Sequence, residues 1–342
     1  MRDRPLQLAV LGLGFMGSTH VKALRAAPGV DLAAVYSSDD QKLSGDLTAI
    51  RGNIGGPGEK LDFSGVRKHR SLEDALADPA VEAVDICLPT DLHEIVAVAA
   101  LRAGKHVLVE KPMALDAFAV DRMIGAASRF RRVLMAAHVL RFMPPYTALR
   151  QAVYGGQMGR VRFAAFRRRC AAPSWGGWLL NASQSGGGVF DLLIHDVDMC
   201  LHLLGKPESV VAAGVTDAAS GVDFIDAQLY YPDAVANIQG GWHHLSEYPF
   251  SMGYTVALEG GTVEYHSCDG GPKRYAPGQP VRDLEMPAAD AYAAEIGYFV
   301  DCCRQQKVPA LCPPKESADA VKLMLLLLES RLRGGRRLLC RI

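Results

Sequence analysis

The sequence predicts an α/β protein in which a doubly wound parallel sheet precedes an α+β domain with a large, mostly antiparallel open sheet. Three observations support this fold class. Strand-length apolar runs alternate with helical segments as far as residue 137, and strand-length segments with no helix between the later ones dominate after residue 159. The chain has 342 residues, which favours two domains. We place these domains at residues 1–138 and 139–342.

The composition excludes several classes of protein. Lys and Arg together number 37, and so do Asp and Glu, so no excess of positive charge attracts nucleic acid or an anionic membrane. The chain enters an apolar strand at residues 6–11 without a cleavage-site pattern, and its apolar run at 321–328 is too short to span a bilayer. Its eight cysteines form no C-x-x-C pairs and have no histidines at zinc spacing, which indicates reduced thiols and no metal site. We therefore expect a cytoplasmic protein.

The first predicted strand ends in a glycine-rich turn. Residues 6–11 are followed by G-x-G-x-x-G at Gly12, Gly14 and Gly17, and then by a helical segment at 18–27. A strand, this turn and a helix are together the dinucleotide-binding fingerprint. Gly12 permits the tight turn, Gly14 lets the backbone approach a pyrophosphate, and Gly17 lets helix and strand pack closely. A turn without a ligand is the alternative, but the position at the start of a strand-helix-strand unit favours NAD(P) on a Rossmann domain.

The end of the second strand, residues 31–36, bears on the choice of cofactor. An acidic residue at this point binds the ribose hydroxyls of NAD, whereas here Ser37 and Ser38 follow the strand. Two hydroxyl groups accept a 2′-phosphate more readily than a carboxylate does, which slightly favours NADP. Asp39 and Asp40 come next, and they either contact the ribose or cap the following segment. Residues 41–65 then predict a long glycine-rich loop, which either covers the adenosine end of the cofactor or has no such role.

Lys111 follows a later strand of the same sheet. The stretch Gly-Lys-His-Val-Leu-Val-Glu-Lys-Pro at residues 104–112 contains a short apolar β-branched run that predicts a buried strand. Pro112 must end this strand because it has no N–H to donate, and an X-Pro bond here can be cis. Ligands of open parallel sheets bind beyond the carboxyl ends of the strands, so Lys111 is placed to meet one. The alternative is a solvated lysine with Glu110 as its salt-bridge partner.

One helix in the second half carries unusual polar residues. Residues 185–188 are Ser-Gly-Gly-Gly, and they lead into an apolar helix at 189–204. Asp191, His195 and Asp198 recur on it at i, i+4 and i+7, so they lie on one face. A carboxylate and an imidazole on an apolar helix cost free energy unless they are paired or used. They form either a surface pair that serves solubility or part of a site.

The sequence resembles the Gfo/Idh/MocA family of oxidoreductases, because the glycine fingerprint, Glu110-Lys111-Pro112 and Asp191-x-x-x-His195 occur in this order. The most specific stretches are residues 104–112 and 186–198, and the tail at 292–299 also matches. The resemblance implies a Rossmann domain followed by an open mixed sheet, through which family members assemble as dimers or tetramers. It also implies NAD(P) and a sugar, cyclitol or similar polyhydroxy substrate.

The resemblance further implies roles for individual residues. Lys111 matches the family's active-site lysine, Asp191 its substrate-binding carboxylate and His195 its acid/base histidine. Arg141 and Tyr292 are weaker expectations for substrate contact, because a structural role explains each equally well. Ser37 departs from the acid common in NAD-using members, and the 41–65 segment is longer than usual. The expected cofactor contacts are Gly12, Gly14, Phe15, Met16, Gly17, Ser37, Ser38, Pro89, Thr90, His93, Glu110 and Lys111.

The expected reaction is hydride transfer between nicotinamide and a secondary alcohol or ketone. An imidazole with a pKa of about 6.5 suits a proton acceptor near neutrality, so His195 is the expected base. Lys111 would stabilise charge on the alcohol oxygen, and Asp191 would bind a neighbouring hydroxyl group or orient the imidazole. Two other functions stay open. One is a glycosidase or lyase that keeps and recycles its nucleotide, and the other is a nucleotide-sensing protein without turnover.

Overall fold

The computed structural model describes residues 4–52, 57–174, 176–217 and 221–342. The chain forms two compact units. The first contains the residues up to Val139 and the segment Asp290–Ala318, and the second contains Leu140–Ala289 and Asp319–Ile342. A division at residue 138 into a nucleotide-binding and a substrate domain stays a prediction. The segment Asp290–Ala318 packs within the first unit, although it lies far along the chain.

The first unit contains a six-stranded sheet in which all neighbouring strands are parallel. Its strands are β1 (Leu6–Leu11), β2 (Val30–Tyr36), β3 (Arg67–His69), β4 (Ala83–Ile86), β5 (His106–Glu110) and β6 (Leu134–Ala137). Their order is β3-β2-β1-β4-β5-β6, which confirms the predicted doubly wound sheet. The strand order reverses between β1 and β4, so the ligand crevice of this fold opens at the carboxyl ends of those strands. All residues of β4, β5 and β6 are buried, which explains why these strands are mostly apolar.

Helices connect these strands, as predicted. They are α1 (Phe15–Leu24), α2 (Asp40–Leu43), α3 (Leu72–Ala77), α4 (His93–Arg102) and α5 (Ala117–Phe130). The hydroxyl group of Ser71 caps α3, and the carboxylate of Asp116 caps α5. α1 begins at Phe15 rather than at Ser18, because the last glycine of the fingerprint is already helical.

The glycine-rich segment after α2 is anchored at both ends. Asp46 and Lys60 form an isolated antiparallel bridge. Leu47, Leu61 and Phe63 are buried, so apolar contacts hold the flanks of the predicted loop in the first unit. Residues 53–56 of this loop lie outside the described part of the chain.

The second unit is built on a nine-stranded sheet. Its strands are β7 (Val161–Ala171), β8 (Ser209–Asp217), β9 (Val222–Tyr230), β10 (Val235–His244), β11 (Ser251–Leu258), β12 (Gly261–His266), β13 (Lys273–Tyr275), β14 (Arg282–Asp283) and β15 (Leu338–Leu339). The order is β14-β13-β12-β11-β7-β10-β9-β8-β15. Among the described strands of this sheet, only β7 and β10 pair in parallel, which confirms the mostly antiparallel sheet.

The helices of the second half complete the two units. α6 (Pro144–Tyr154), α7 (Ala182–Ser185) and α8 (Gly188–Leu204) belong to the second unit, whereas α9 (Ala291–Gln305) belongs to the first. The last helix is α10 (Pro314–Leu332). None of the helices in the described residues is long and apolar enough to cross a membrane.

The two faces of the nine-stranded sheet differ. α8 packs against β7, β9 and β10 on one face, where alternate residues such as Phe166 and Ile238 are buried. The strand register places Phe163, Val215 and Tyr275 on the opposite face, where each is exposed by more than a third. The core of the second unit therefore lies on the α8 side, and the opposite face is open.

Candidate active site

The glycine turn has the steric properties that the fingerprint predicts. Gly12 has φ +103°, and a Cβ on it would lie 2.5 Å from the carbonyl oxygen of Cys87. A Cβ on Gly17 would lie 1.8 Å from the carbonyl oxygen of Gly12, which confirms that a glycine is needed for close packing of α1 on the turn. Among the described residues, none beyond the chain neighbours of Gly14 comes within 4 Å of a Cβ there. The turn is thus closed on the side of Gly12 and Gly17 and open at Gly14.

The open side of the turn leads to the N-terminus of α1. Gly14 is the N-cap residue of this helix and has no side chain to supply a cap. Phe15 and Met16, the first helical residues, are half-buried. The first N–H groups of a helix have no intrahelical acceptors, and the helix dipole favours an anion beside them. The turn therefore fits the pyrophosphate of a dinucleotide, although each predicted cofactor contact stays a prediction.

The four residues after β2, residues 37–40, differ in their exposure and in their hydrogen-bond partners. Ser37 is buried and its Oγ accepts the N–H of Asp39, whereas Ser38 is exposed. Asp39 caps α2, because its Oδ1 accepts the N–H groups of Gln41 and Lys42. Of the two roles left open for this aspartate, the structure thus shows the capping role.

The turn after β4 contains three predicted cofactor contacts. Pro89 precedes a 3₁₀ turn that begins at the buried Thr90, and His93 begins α4. The ring nitrogens of His93 lie 2.8 Å from the carbonyl oxygen of Pro112 and 2.9 Å from that of Leu88. Burial lowers the pKa of His93, so its neutral ring donates to one of these carbonyls. The structure gives this imidazole a role in joining the ends of β4 and β5, and its cofactor contact stays a prediction.

Glu110 joins Lys111 to a buried charged network in the first unit. Its Oε2 accepts the backbone N–H of Lys111 at 3.0 Å, and its Oε1 lies 3.1 Å from Nε2 of His20. The other ring nitrogen of His20 lies 2.7 Å from Oδ2 of Asp85 on β4. Lys111 itself is half-buried, and its peptide bond to Pro112 is cis, one of the isomers that the sequence allows. Glu110 thus has a histidine partner that the sequence did not indicate, and its pairing with the Lys111 side chain stays an alternative.

Tyr292 lies beside this network rather than in the second unit. It belongs to α9, and its ring centroid is 5.7 Å from that of His20. Burial and the charge of Glu110 raise the pKa of its hydroxyl group, so the phenol stays protonated. Its predicted substrate contact stays a prediction.

In the second unit, α8 carries Asp191 and His195 half-buried on one face. Asp198, one turn further, is fully buried and forms a bidentate ion pair with Arg141, with N–O distances of 2.9 and 2.7 Å. Arg141 is only 2% exposed, so the structure assigns its guanidinium to this pair. A substrate contact of Arg141 stays a prediction. Of the three polar residues predicted to share one face of α8, Asp191 and His195 are therefore nearer to solvent than Asp198.

The start of α8 is held by residues far away in the sequence. Gly187 has φ +90°, and a Cβ on Gly188 would lie 2.5 Å from the indole ring of Trp242, which explains the glycine-rich approach. Asp223 on β9 accepts the N–H of Val189 at 2.8 Å, and its other oxygen accepts from Arg331 at 2.7 Å. Nothing near Asp223 in the sequence marks it as a helix cap. Asp223 reaches the start of α8 only because β9 is paired into the nine-stranded sheet on which α8 packs.

A cysteine on the inner face of the sheet lies near Asp191. Cys170 lies on β7, and burial together with the negative charge of Asp191 raises the pKa of its thiol to about 12. The thiol is therefore protonated at neutral pH and serves as an apolar neighbour rather than a nucleophile.

A doubly wound sheet with this glycine turn, followed by a large open sheet, defines a two-part nucleotide-binding oxidoreductase fold. Residues 6–138 match the family model described as an oxidoreductase family with an NAD-binding Rossmann fold, and residues 146–264 match the GFO/IDH/MocA C-terminal domain. The chain belongs to the Gfo/Idh/MocA oxidoreductase family.

Named relatives of the chain include dehydrogenases and other oxidoreductases. The chain is 31% identical to a myo-inositol 2-dehydrogenase of Thermotoga maritima over 61% of its own length and 58% of that protein's, so it spans less than two thirds of this relative. It is 27% identical to a UDP-N-acetylglucosamine 3-dehydrogenase of Acidithiobacillus ferrooxidans over 90% of its own length and 91% of that protein's. Its fold is similar to that of an aldose-aldose oxidoreductase from Caulobacter crescentus, solved with glycerol, with a TM-score of 0.83, 23% identity and coverage of 98% and 100% of the two chains.

Proposed function

We propose that the protein is an NAD(P)-dependent oxidoreductase that interconverts a secondary alcohol and a ketone of a sugar, cyclitol or related polyhydroxy compound. The observation that carries this proposal is the pair Asp191 and His195, half-buried on one face of a mostly apolar helix. The family and the named activities of the inositol and UDP-sugar dehydrogenases support the substrate class.

Each proposed catalytic group follows from its chemistry. When bound, the nicotinamide supplies or accepts the hydride. His195 accepts the hydroxyl proton, as an imidazole does well near neutral pH. Lys111 places positive charge against the alcohol oxygen as negative charge develops there, and such a donor contributes about 3 kcal/mol to the transition state. Asp191 binds a neighbouring hydroxyl group or orients the imidazole, and Arg141 and Tyr292 are proposed as further substrate contacts.

The cofactor is proposed to be NADP(H) rather than NAD(H). Ser37 and Ser38 stand where an acid would bind the ribose of NAD, and Ser38 is exposed. Asp39 caps α2, and the carboxylate of Asp40 forms an ion pair with Arg70 at 2.8 Å. Both nearby carboxylates therefore already have partners within the protein, which supports the preference for a 2′-phosphate.

The protein is further proposed to be cytoplasmic and to form homodimers or homotetramers. The open face of the nine-stranded sheet supports self-association, because Phe163 is 41% exposed and Val215 58% exposed on it. We also propose that residues 1–138 bind the nucleotide and that residues 139–342 bind substrate and form the subunit contacts.

The test is turnover of a panel of inositols, aldoses and nucleotide sugars with NADP⁺ and with NAD⁺, followed by the appearance of reduced nicotinamide. With the best substrate, Lys111→Ala and His195→Ala should each lower kcat by at least about 100-fold with nearly unchanged nucleotide affinity. Lys315→Ala, which removes an exposed lysine at the start of α10, is the control that keeps full activity. Product formed without any net change in the cofactor would instead show a recycled nucleotide, and full activity of both variants would refute the assignment.

A further inference from the structure

The first unit contains a row of three buried charged groups from three different elements. His20 on α1 lies between Asp85 on β4 and Glu110 on β5, at 2.7 and 3.1 Å. The side chains of His20 and Asp85 are fully buried, and that of Glu110 is 7% exposed. An isolated buried charge is costly, so this arrangement needs an explanation in terms of the partners of each group.

The geometry determines the protonation of the histidine. Ionised carboxylates only accept hydrogen bonds, and a neutral imidazole donates from one nitrogen alone. Nδ1 of His20 makes the hydrogen bond to Asp85, and Nε2 lies 3.1 Å from Oε1 of Glu110 as a close ion-pair contact. A ring this close to two carboxylates is stabilised as an imidazolium. Burial by itself favours the neutral ring, but the charge and hydrogen bond of Asp85 raise the pKa of His20 well above 6.5. Despite burial, the nearby His20 and the charge of Lys111 in turn lower the pKa of Glu110.

The other groups around His20 are accounted for. The Sγ of Cys87 lies 3.7 Å from Nδ1 of His20 and 3.5 Å from the second oxygen of Asp85, and burial keeps this thiol protonated because it raises its pKa. The remaining charged or titratable groups that act on the network are Lys111 beside Glu110, and Tyr292 with Glu295 and Asp290 behind it. Of these, Tyr292 is neutral, because its pKa is raised.

The network connects two parts of the proposed site. The α1 helix that carries His20 also begins at the glycine turn. The Glu110 carboxylate that faces His20 accepts the backbone N–H of Lys111 with its other oxygen. We propose that His20 is a positioning residue, a buried imidazolium that keeps Glu110 ionised and thereby fixes Lys111 relative to the dinucleotide-binding helix. This inference rests on the proposed catalytic role of Lys111.

Replacing His20 with glutamine removes the positive charge but keeps a polar group of similar size. The two carboxylates then share the buried space without the imidazolium between them, so we expect one of them to retain a proton near neutral pH. When Glu110 is the protonated partner, its hydrogen bond to the Lys111 N–H weakens. We expect kcat of His20→Gln to fall about 10- to 100-fold, the range for loss of one charge-assisted hydrogen bond.

The pH profile separates this role from a merely structural one. The wild type should show no ionisation of the His20–Glu110 pair between about pH 5 and 8, because the pKa of His20 is raised and that of Glu110 is lowered. His20→Gln should show a new ionisation in kcat in that range. The double variant His20→Gln/Glu110→Gln should lose this ionisation, since only one carboxylate remains in the row. An unchanged profile of His20→Gln would overturn the proposal.

The double variant His20→Gln/Lys111→Ala tests whether His20 affects kcat by positioning Lys111. If His20 acts by positioning Lys111, adding His20→Gln to Lys111→Ala should cost less than about threefold more. A full multiplicative loss would mean that the two residues act independently and would overturn the inference. Full activity of Lys111→Ala alone would instead refute the proposed function, so the two failures are distinguishable.

A measurement on the unmodified protein covers the case in which His20→Gln fails to fold. Nitrogen-15 NMR of histidine-labelled wild-type protein should show one imidazole with both ring nitrogens protonated at pH 8. Glu110→Gln, which leaves the ring its Asp85 partner, assigns this signal by shifting it. A spectrum in which every imidazole is neutral at pH 8 would overturn the proposal without any measurement of activity.

Discussion

Replacing Gly17 with alanine should force α1 away from the glycine turn. The added Cβ would lie 1.8 Å from the carbonyl oxygen of Gly12. Carbon and oxygen atoms in contact stay at least about 3.3 Å apart, so helix and turn must separate by roughly 1.5 Å. The obstacle is a backbone atom, which cannot move aside as a flexible side chain does. We therefore expect the upper end of the range for overpacking, about 3 kcal/mol of lost stability.

Gly14→Ala is the matched control for this variant. A methyl group on Gly14 meets open space among the described residues, and the backbone there has φ −82°, which alanine adopts without strain. Its unfolding free energy should stay within about 0.5 kcal/mol of the wild type. The methyl group would nevertheless stand where the pyrophosphate is proposed to approach, so both variants should bind NADPH at least about tenfold more weakly.

Two measurements decide between these expectations. Urea or thermal unfolding without nucleotide reports stability, and titration with NADPH well below the unfolding temperature reports affinity. Equal stability of the Gly17→Ala and Gly14→Ala proteins would refute the steric argument. Unchanged NADPH affinity of Gly14→Ala would refute the placement of the pyrophosphate on the open side of the turn.

Three further predictions follow from the polar contacts of the two units. Asp223→Ala removes the cap from the Val189 N–H and should cost about 2 kcal/mol in unfolding free energy, measured by urea denaturation against the exposed-site control Asp269→Ala. Asp198→Ala leaves the buried Arg141 guanidinium without its bidentate carboxylate and should cost about 3–5 kcal/mol, and recovery of part of this loss in Asp198→Leu/Arg141→Met would show that the unpaired charge is the cause. His106 has its pKa lowered to about 4 by burial, so the unfolded chain binds a proton there first and stability should fall as the pH drops from 6.5 to 4. A thermal unfolding series should show this loss, and His106→Gln should make it smaller.

The parts of the fold that the sequence predicts are those with local causes. The positive φ of Gly12 and the contact of Gly17 with the turn follow from a spacing of a few residues. The same is true of the end of β5 at Glu110, because Pro112 cannot continue a strand. In each case the backbone excludes most other residue types, so the residue itself reveals the conformation.

The parts that sequence reasoning missed depend on partners far along the chain. His20 and Glu110 are 90 residues apart, and Asp223 and Arg331 are 108 apart. Asp85 is the one residue of this network that the sequence marks as unusual, because a carboxylate in a mostly apolar strand needs a partner. Nothing in the sequence identifies that partner. Asp39 is different, because the sequence allowed two local roles for it, a ribose contact or a helix cap. The hydrogen bonds at the start of α2 show the capping role.

The rotation of α8 depends on ion pairs that flank its functional face. Asp196 pairs with Arg168 of β7, and two residues later Asp198 pairs with Arg141, both as bidentate forks. Two residues correspond to about 200° of helix rotation, so the pairs hold α8 from nearly opposite sides. A guanidinium-carboxylate fork is directional, whereas apolar side chains of the same volume would allow the helix to turn. Buried pairs of this kind contribute little net stability, because desolvation offsets their attraction. We infer that their contribution here is orientation, which keeps His195 on the face nearer to solvent.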